Sequence, residues 1–158
     1  MRRHLRRWSV PGILACAVVA ALAGCASGQS GDPMTVAPVP PIGHVQGATL
    51  PRQVAGYSVL GGLPKAGQLE ATYALDTDGT ALAVVTLTED RAHLQTPLVD
   101  DAWIGQSRCG VLDELDDDLA QAACITPLVD GVLTVVGTAV QTPEDLAVLA
   151  NAVAAGLP

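Results

Sequence analysis

Basic and aromatic residues are scarce in this chain of 158 residues. It has no phenylalanine, aromatic residues make up 3% of it, and its single lysine is Lys65. Nucleic-acid binding needs a footprint of Lys and Arg that displaces counterions from phosphates, whereas the formal net charge here is −8. The composition therefore argues against nucleic acid as a partner. Because aromatic residues are so few, the core must be built from leucine, valine, isoleucine and alanine.

Motifs for catalysis, metal binding and phosphate binding are missing as well. The chain has no Gly-x-Ser-x-Gly elbow, no Ser-x-x-Lys pair and no Cys-x-x-Cys pair. His93 is the only histidine after residue 50, and Ser107 is followed by Arg108, whose guanidinium stays protonated and is a poor base. We therefore predict no catalytic activity, no metal and no cofactor. An enzyme that combines His93 with Ser107 and an acid is an alternative that their separation in the fold would exclude.

The basic residues are concentrated at the N-terminus. Arg2, Arg3, Arg6 and Arg7 are four of the eight, and they precede Val10–Ala23, fourteen residues without a charge. That run is shorter than the ~20 residues of a membrane-spanning helix. A basic head followed by a short apolar segment and small residues is typical of a secretory signal peptide. Removal of residues 1–24 leaves four basic and sixteen acidic residues, a formal charge of −12.

The end of this segment, Leu22-Ala23-Gly24-Cys25, resembles the lipobox of bacterial lipoproteins. The resemblance implies that residues 1–24 are a lipoprotein signal peptide and that the Cys25 thiol is acylated, so that Cys25 becomes the first residue. Two acyl chains anchor a protein firmly, at ~0.8 kcal/mol per buried CH₂. The expected location is therefore the extracytoplasmic face of the cell membrane. A plain signal peptide with a chance cysteine, and an uncleaved short anchor, remain alternatives, and the export route stays open.

Residues 25–50 are predicted to be a tether, because they are rich in Pro, Gly and Ser and show no sustained hydrophobic period. Proline fixes φ and removes a backbone donor, which favours extended conformations. About 25 residues of flexible coil would reach roughly 25–30 Å. Residues 51–158 then form one compact domain, which is long enough to bury a core. His44 is interpreted as a solvated residue of the tether.

The domain is predicted to be α+β, an antiparallel sheet with a C-terminal helix packed on one face. Strands are expected over 68–75, 80–88, 104–112, 123–128 and 132–140, with a further edge strand over 53–60. Asp-Gly sequences at 78–79 and 130–131 predict tight turns, since glycine accepts a positive φ. Residues 90–102 are ambiguous, although Thr96-Pro97 would suit the start of a helical turn. Thr142 and Pro143 predict the start of the helix, and Gly156 its end.

The order of these elements resembles that of small actinobacterial lipoproteins with a PsbP/Mog1-like fold. The resemblance rests on Leu50-Pro51 to Gly56-Tyr57, on Cys109-Gly110 and Ala123-Cys124, and on the strand-to-helix run Val132–Leu157. Such domains are mostly binding or accessory modules without a shared active site. The resemblance therefore implies a fold more than a function.

Two cysteines remain for the domain once Cys16 is removed with the signal peptide and Cys25 is acylated. Cys109 and Cys124 are an even pair in an exported domain, which predicts a disulfide. Free or metal-binding thiols are the alternative, although no second ligand pair accompanies them.

An acidic segment lies between these two cysteines. It contains five carboxylates in six residues: Asp113, Glu114, Asp116, Asp117 and Asp118. Oxygen ligands suit Ca²⁺, but calcium loops alternate their ligands and turn at a glycine, which this segment lacks. We interpret it as a solvated loop, and as a candidate for weak cation binding or for contact with a partner.

Together these features predict a lipid-anchored binding or accessory protein of the cell envelope. Its partners would be the membrane, through the anchor, and an envelope protein. A carrier or sensor of a small apolar ligand is the alternative, and it would require a pocket in the seam between helix and sheet.

Overall fold

The computed structural model describes residues 39–61, 69–112, 120–138 and 140–158. Within these ranges the chain forms an eight-stranded sheet, a 3₁₀ helix and one α-helix. The elements are β1 (Gln53–Val54), β2 (Tyr57–Val59), β3 (Glu70–Leu75), β4 (Asp78–Thr88), the 3₁₀ helix (Arg91–Gln95), β5 (Leu98–Ile104), β6 (Ser107–Leu112), β7 (Ala122–Pro127), β8 (Val132–Gly137) and α1 (Pro143–Ala155).

The sheet is antiparallel throughout, with the strand order β1-β2-β3-β4-β8-β7-β6-β5. Strands β1–β4 follow one another across one half, strands β5–β8 make up the other half, and the pairing of β4 with β8 joins them. The 3₁₀ helix lies in the connection from β4 to β5. The predicted class, α+β with an antiparallel sheet and one C-terminal helix, is confirmed.

Alternating burial gives the sheet two distinct sides. Along β4, Ala83, Val85 and Leu87 are buried, whereas Val84 is 39% exposed, the period of two expected of a strand. Val85 lies opposite Val135 of β8, and Val135 lies opposite Cys124 of β7. We call the side that carries these buried residues the core side. The core cluster also includes buried residues of α1, namely Leu146, Ala147, Leu149, Ala150, Val153 and Ala154.

The helix begins where the sequence predicts. Thr142 is its N-cap, and its hydroxyl accepts a hydrogen bond from the backbone N–H of Asp145. The Asp145 carboxylate accepts one in return from the Thr142 N–H, which completes a capping box. Pro143 occupies the first turn, where the N–H that it lacks would have no partner within the helix. The helix contacts β6, β7 and β8 and, more weakly, β1.

The β3–β4 hairpin forms as predicted, but glycine is not its turn residue. Leu75 pairs with Asp78, so Asp76 and Thr77 make the turn and Gly79 lies inside β4. The Asp78 carboxylate accepts hydrogen bonds from the backbone N–H and the hydroxyl of Thr80. These bonds hold the Asp78 side chain in place at the start of the strand.

Strand β5 emerges from the segment that the sequence left ambiguous. A proline disfavours the helical conformation in the residue before it, and Thr96, before Pro97, has an extended ψ of 124°. The chain therefore leaves the 3₁₀ helix here instead of beginning a helical turn. The strand predicted over 104–112 divides at Gly105, whose φ of +66° makes a turn between β5 and β6.

The packed part of the chain begins before residue 51. Val45, Ala48 and Leu50 are at most 3% exposed and belong to the core cluster. A small domain without phenylalanine gains apolar burial from every aliphatic side chain in reach. The described end of the predicted tether, from Val45 onward, is therefore part of the folded domain.

A buried tyrosine ties this entry segment to the sheet. The Tyr73 hydroxyl donates a 2.6 Å hydrogen bond to the carbonyl oxygen of Pro51. Burial raises the pKa of Tyr73 to about 12, because the charged phenolate is disfavoured where water is excluded.

The predicted disulfide is present between Cys109 of β6 and Cys124 of β7. The two residues lie opposite each other in the register, their sulfur atoms are 2.10 Å apart, and both side chains are buried on the core side. The bond therefore joins two neighbouring strands that both contact α1.

Reduction of this disulfide should destabilise the protein. Closing a 15-residue loop is worth ~3 kcal/mol in the chain-entropy model, so the free energy of unfolding in urea should fall by about that amount when dithiothreitol is present. A Cys109→Ala/Cys124→Ala variant is the control, because its stability should not respond to the reductant. A wild-type protein equally stable in both buffers would contradict a stabilising role.

Gly131 provides a second test of the fold. A Cβ atom there would overlap the carbonyl oxygen of Thr88 and lie 2.6 Å from Val45 Cγ2, whereas a Cβ on Gly79 would meet nothing within 4 Å. Gly131→Ala should therefore lower the free energy of unfolding by about 2 kcal/mol or more. Gly79→Ala should leave it unchanged or raise it by about 0.5–1 kcal/mol. Equal effects of the two substitutions in urea unfolding would contradict the close packing at Gly131.

Candidate functional site

Most residues that the sequence analysis singled out for function lie outside the described ranges. This applies to the lipidation residue Cys25 and to the acidic residues Asp113, Glu114, Asp116, Asp117 and Asp118. Acylation of Cys25 and cation or partner binding by the acidic segment therefore remain predictions.

His93 and Ser107 lie on opposite sides of the sheet. The Ser107 hydroxyl is buried on the core side, 2.6 Å from Thr126 Oγ1 and 3.3 Å from Asn151 Oδ1 of α1. Arg108, the next residue of β6, points to the other side. Its guanidinium donates to the carbonyl oxygens of Leu94 and Thr96, at the end of the 3₁₀ helix that contains His93. The two residues therefore do not form a nucleophile and base pair.

The described ranges show neither a metal-binding cluster nor a membrane-spanning helix. No group of three or more His, Cys, Asp or Glu side chains there is placed to hold a metal ion. Among the same residues, no helix combines the length and the apolar character that crossing a bilayer requires.

The described chain enters the domain through a contact that we call the N-terminal junction, formed by residues 43–46 with Asp130 and Pro158. Asp130 Oδ1 accepts a 2.6 Å hydrogen bond from the Val45 N–H, and Oδ2 accepts one of 3.2 Å from the Gln46 N–H. His44 Nδ1 lies 3.4 Å from Asp130 Oδ2. His44 is thus held at the domain surface, not only solvated as the sequence analysis expected.

The junction lies at the C-terminal end of α1. The His44 N–H donates a 2.9 Å hydrogen bond to the carbonyl oxygen of Pro158. A Cβ on Gly43 would lie 2.9 Å from Leu157 Cβ and 3.0 Å from the Ala154 carbonyl oxygen. The φ of Gly43 is +76°. Glycine is favoured at this position because it adopts a positive φ and has no Cβ, so the backbone can pass close to the end of the helix.

A cleft of about 260 Å³ opens at the other end of the helix. Its walls come from the β1–β2 turn, the β3–β4 hairpin, the segment before α1 and the first two turns of α1. The apolar part of the wall consists of Ala55, Leu75, Ala81, Val140 and Val148. Val140 is 67% exposed and Val148 is 59% exposed, so two aliphatic side chains stand open to solvent at one place.

A buried hydrogen-bond network forms the floor of the cleft. Gln141 Nε2 donates a 3.0 Å hydrogen bond to the Tyr57 hydroxyl oxygen, and Gln141 Oε1 accepts one from the Thr138 N–H. Gln141 is 8% exposed and Tyr57 is 3% exposed. Buried polar groups that satisfy one another hold their side chains in one arrangement, so the floor is preformed.

The charged residues of the cleft wall are both acidic. Asp78 and Asp145 line it, and none of its described lining residues is Lys, Arg or His. Hydrogen bonds from the side chain and backbone of Thr80 lower the pKa of Asp78 from its ordinary value, so Asp78 is charged at neutral pH. The cleft is therefore an apolar recess with a negative rim.

The sequence contains one signal for this cleft, the apolar residue Val148 on the polar face of α1. The apolar stripe of α1 runs through Leu146, Leu149, Ala150 and Val153, and Val148 falls outside it. A single exposed valine on the polar face of an amphipathic helix is common and does not by itself indicate a binding site. Val148 forms an exposed apolar patch only together with Val140, which lines the same cleft. That proximity arises only when the chain folds.

The junction should make the free energy of unfolding depend on pH through the Asp130 carboxylate. The hydrogen bond from the Val45 N–H is the main cause that lowers the pKa of Asp130 below its ordinary value of 3.8. A group whose pKa is lowered on folding stabilises the protein above its unfolded pKa, and that stability is lost as pH falls through the folded pKa. Asp130→Asn should therefore be less stable than the wild type at pH 6–7, and the difference should shrink below about pH 4.

Asp100→Asn is the control for this measurement, because it removes one charge from a different exposed position. Urea unfolding of both variants between pH 3 and pH 7 gives the comparison. The same pH dependence in both variants would show that the effect comes from net charge and not from the junction.

Comparison of the chain with protein-family models, with curated proteins and with solved structures found no match.

Proposed function

We propose that this protein is a lipid-anchored binding or accessory module of the cell envelope, held at the extracytoplasmic face of the membrane by acylated Cys25. The lipobox Leu22-Ala23-Gly24-Cys25 and the basic, apolar segment before it support the anchor. The disulfide supports an oxidising location outside the cytoplasm. We further infer that α1 covers one side of the sheet in a PsbP/Mog1-like arrangement, since it contacts three neighbouring strands, β6, β7 and β8.

One observation carries the binding role: the junction and the cleft lie at opposite ends of α1. Asp145 in the cleft wall and Ala154, whose carbonyl oxygen lies against Gly43 at the junction, are nine positions apart within α1, which corresponds to about 13–14 Å along a helix. Strand β4 also extends from the cleft towards the junction. It begins at Asp78 in the cleft wall and ends at Thr88, which packs against Gly131 near the junction. Residues 43–46 therefore contact the domain at one end of α1, and the cleft opens at the other.

A carrier of small apolar ligands has less support from the geometry. The seam side chains Leu149, Ala150 and Val153 are 0% exposed, so the helix and the strands close on each other there. The cleft of about 260 Å³ is below the ~300 Å³ at which small-molecule pockets begin, and a larger recess of about 380 Å³ is lined by residues 45–49 with Leu69 and Glu89, outside the seam. The volume of the cleft suits a side chain better than a whole ligand.

The anchor is tested by replacing the acylated residue. Cys25→Ala should abolish acylation, because the variant has no thiol at position 25 to receive the acyl chains, and its intact mass should show no lipid. Intact-mass measurement of the wild type should show an N-terminal diacylated cysteine. Cys16→Ala is the matched control, since Cys16 lies within the segment that is removed, and it should leave both mass and location unchanged.

A wild-type protein that carries no lipid, or a Cys25→Ala protein that still carries one, would contradict the anchor. Either result would leave the cleft and its chemistry as they stand.

A further inference from the structure

We propose that the cleft at the N-terminal end of α1 is the docking site for a lysine or arginine side chain of a partner protein. The inference rests on the proposed binding function and names the chemistry of the partner. The occupant enters with its aliphatic stem against the valines of the wall and its charged head at the carboxylates of the rim.

The charge of the cleft selects a cation. Asp78 and Asp145 line the wall, and Glu144 is in the same first turn of the helix. The positive end of the helix macrodipole, equivalent to about half a charge, opposes a cation there, but the two lining carboxylates of Asp78 and Asp145 outweigh it. Each carboxylate offers about four lone-pair positions, so Asp145 can cap the helix and still accept a hydrogen bond from a partner.

The surroundings strengthen this preference. The mature chain carries sixteen acidic and four basic residues, so a basic partner would be attracted at long range by the field of the whole domain. An acidic or phosphate-bearing partner would meet repulsion at the rim without a compensating cation. Charge complementarity therefore identifies the occupant as basic.

The shape of the cleft excludes a bare ion as the main ligand. Leu75, Val140 and Val148 present apolar surface, which a small hydrated cation does not cover. Lysine and arginine bury their methylene stems along apolar surface while they keep the charged head at a polar rim. A volume of about 260 Å³ equals roughly nine waters at ~30 Å³ each, which is enough for one such side chain and too little for a folded element.

The position of the cleft fits a partner protein. It lies at the end of the domain away from the N-terminal junction, through which the chain would run to the anchor. A protein bound there would not contact residues 43–46 of the junction.

The test measures binding of a defined basic peptide to the intact mature protein in neutral detergent. The probe is a fluorescent tetralysine peptide, and the matched probe has each lysine acetylated, which removes the charge and keeps the chain. Fluorescence anisotropy at about 0.15 M salt limits attraction from distant charges. Tetralysine should bind, and the acetylated peptide should bind at least about tenfold more weakly.

Two pairs of variants separate the cleft from the net charge. Val148→Arg places a cation in the cleft wall, whereas Val129→Arg adds the same charge at a residue that is 48% exposed and lies beside the junction. Val148→Arg should weaken tetralysine binding about tenfold or more, and Val129→Arg less than about twofold. Asp78→Asn should weaken it about threefold, while Asp100→Asn should change it less than that.

Several results would overturn the proposal. One is that tetralysine does not bind, and another is that the acetylated peptide binds as tightly as tetralysine. A third is that both variants of each pair weaken binding equally, which would indicate attraction by net charge alone. Circular dichroism checks that every variant is folded. If Val148→Arg does not fold, the comparison of Asp78→Asn with Asp100→Asn tests the proposal. None of these outcomes depends on acylation, so failure of the cleft and failure of the anchor are distinguishable.

Discussion

The fold depends on close contact among small aliphatic side chains. Without phenylalanine, no single residue fills much of the core, and the core cluster consists of leucine, valine and alanine together with Tyr57, Tyr73 and the disulfide. Interiors are packed as densely as organic crystals, so small side chains require the backbones to come close. Gly131 against Thr88 is the clearest case, because a single added carbon there has no room.

The same requirement explains why the entry segment is part of the domain. Val45, Ala48 and Leu50 add three buried aliphatic side chains to the core, and Asp130 satisfies two of the backbone N–H groups that this segment brings with it. Burial of a backbone donor without a partner is costly, so the carboxylate and the apolar contacts act together. The point where the chain enters the domain is thereby set at one end of α1, and the cleft is left open at the other.

The cleft also illustrates how a binding surface arises from residues that have separate structural duties. Asp78 supports the start of β4 and Asp145 caps α1, yet both carboxylates face one recess. Tyr57 and Gln141 satisfy each other in its floor. A rim of charges already held in position costs less conformational entropy when a partner binds than one that must be ordered.

Much of the fold was predictable because its signals are local. The hairpin of β3 and β4, strands β7 and β8, and the capping of α1 by Thr142 follow from patterns within a few residues, and the cysteine pair follows from counting. Strand β5 was missed because its sequence, with Asp100 and Asp101 in the middle, does not alternate, and its register shifts there. The role of Gly79 was misread because an Asp-Gly pair predicts a turn, whereas the observed register places the turn two residues earlier.

The sequence by itself determined the class of fold, the disulfide partners and the signals for export and acylation, because each depends on residue type, count or short-range spacing. Only the tertiary structure decided where the domain begins, that His93 and Ser107 are separated by the sheet, and that Val140, Val148, Asp78 and Asp145 share one cleft. Those facts depend on which distant segments the antiparallel register and the helix packing bring together, and no local pattern encodes such a distance.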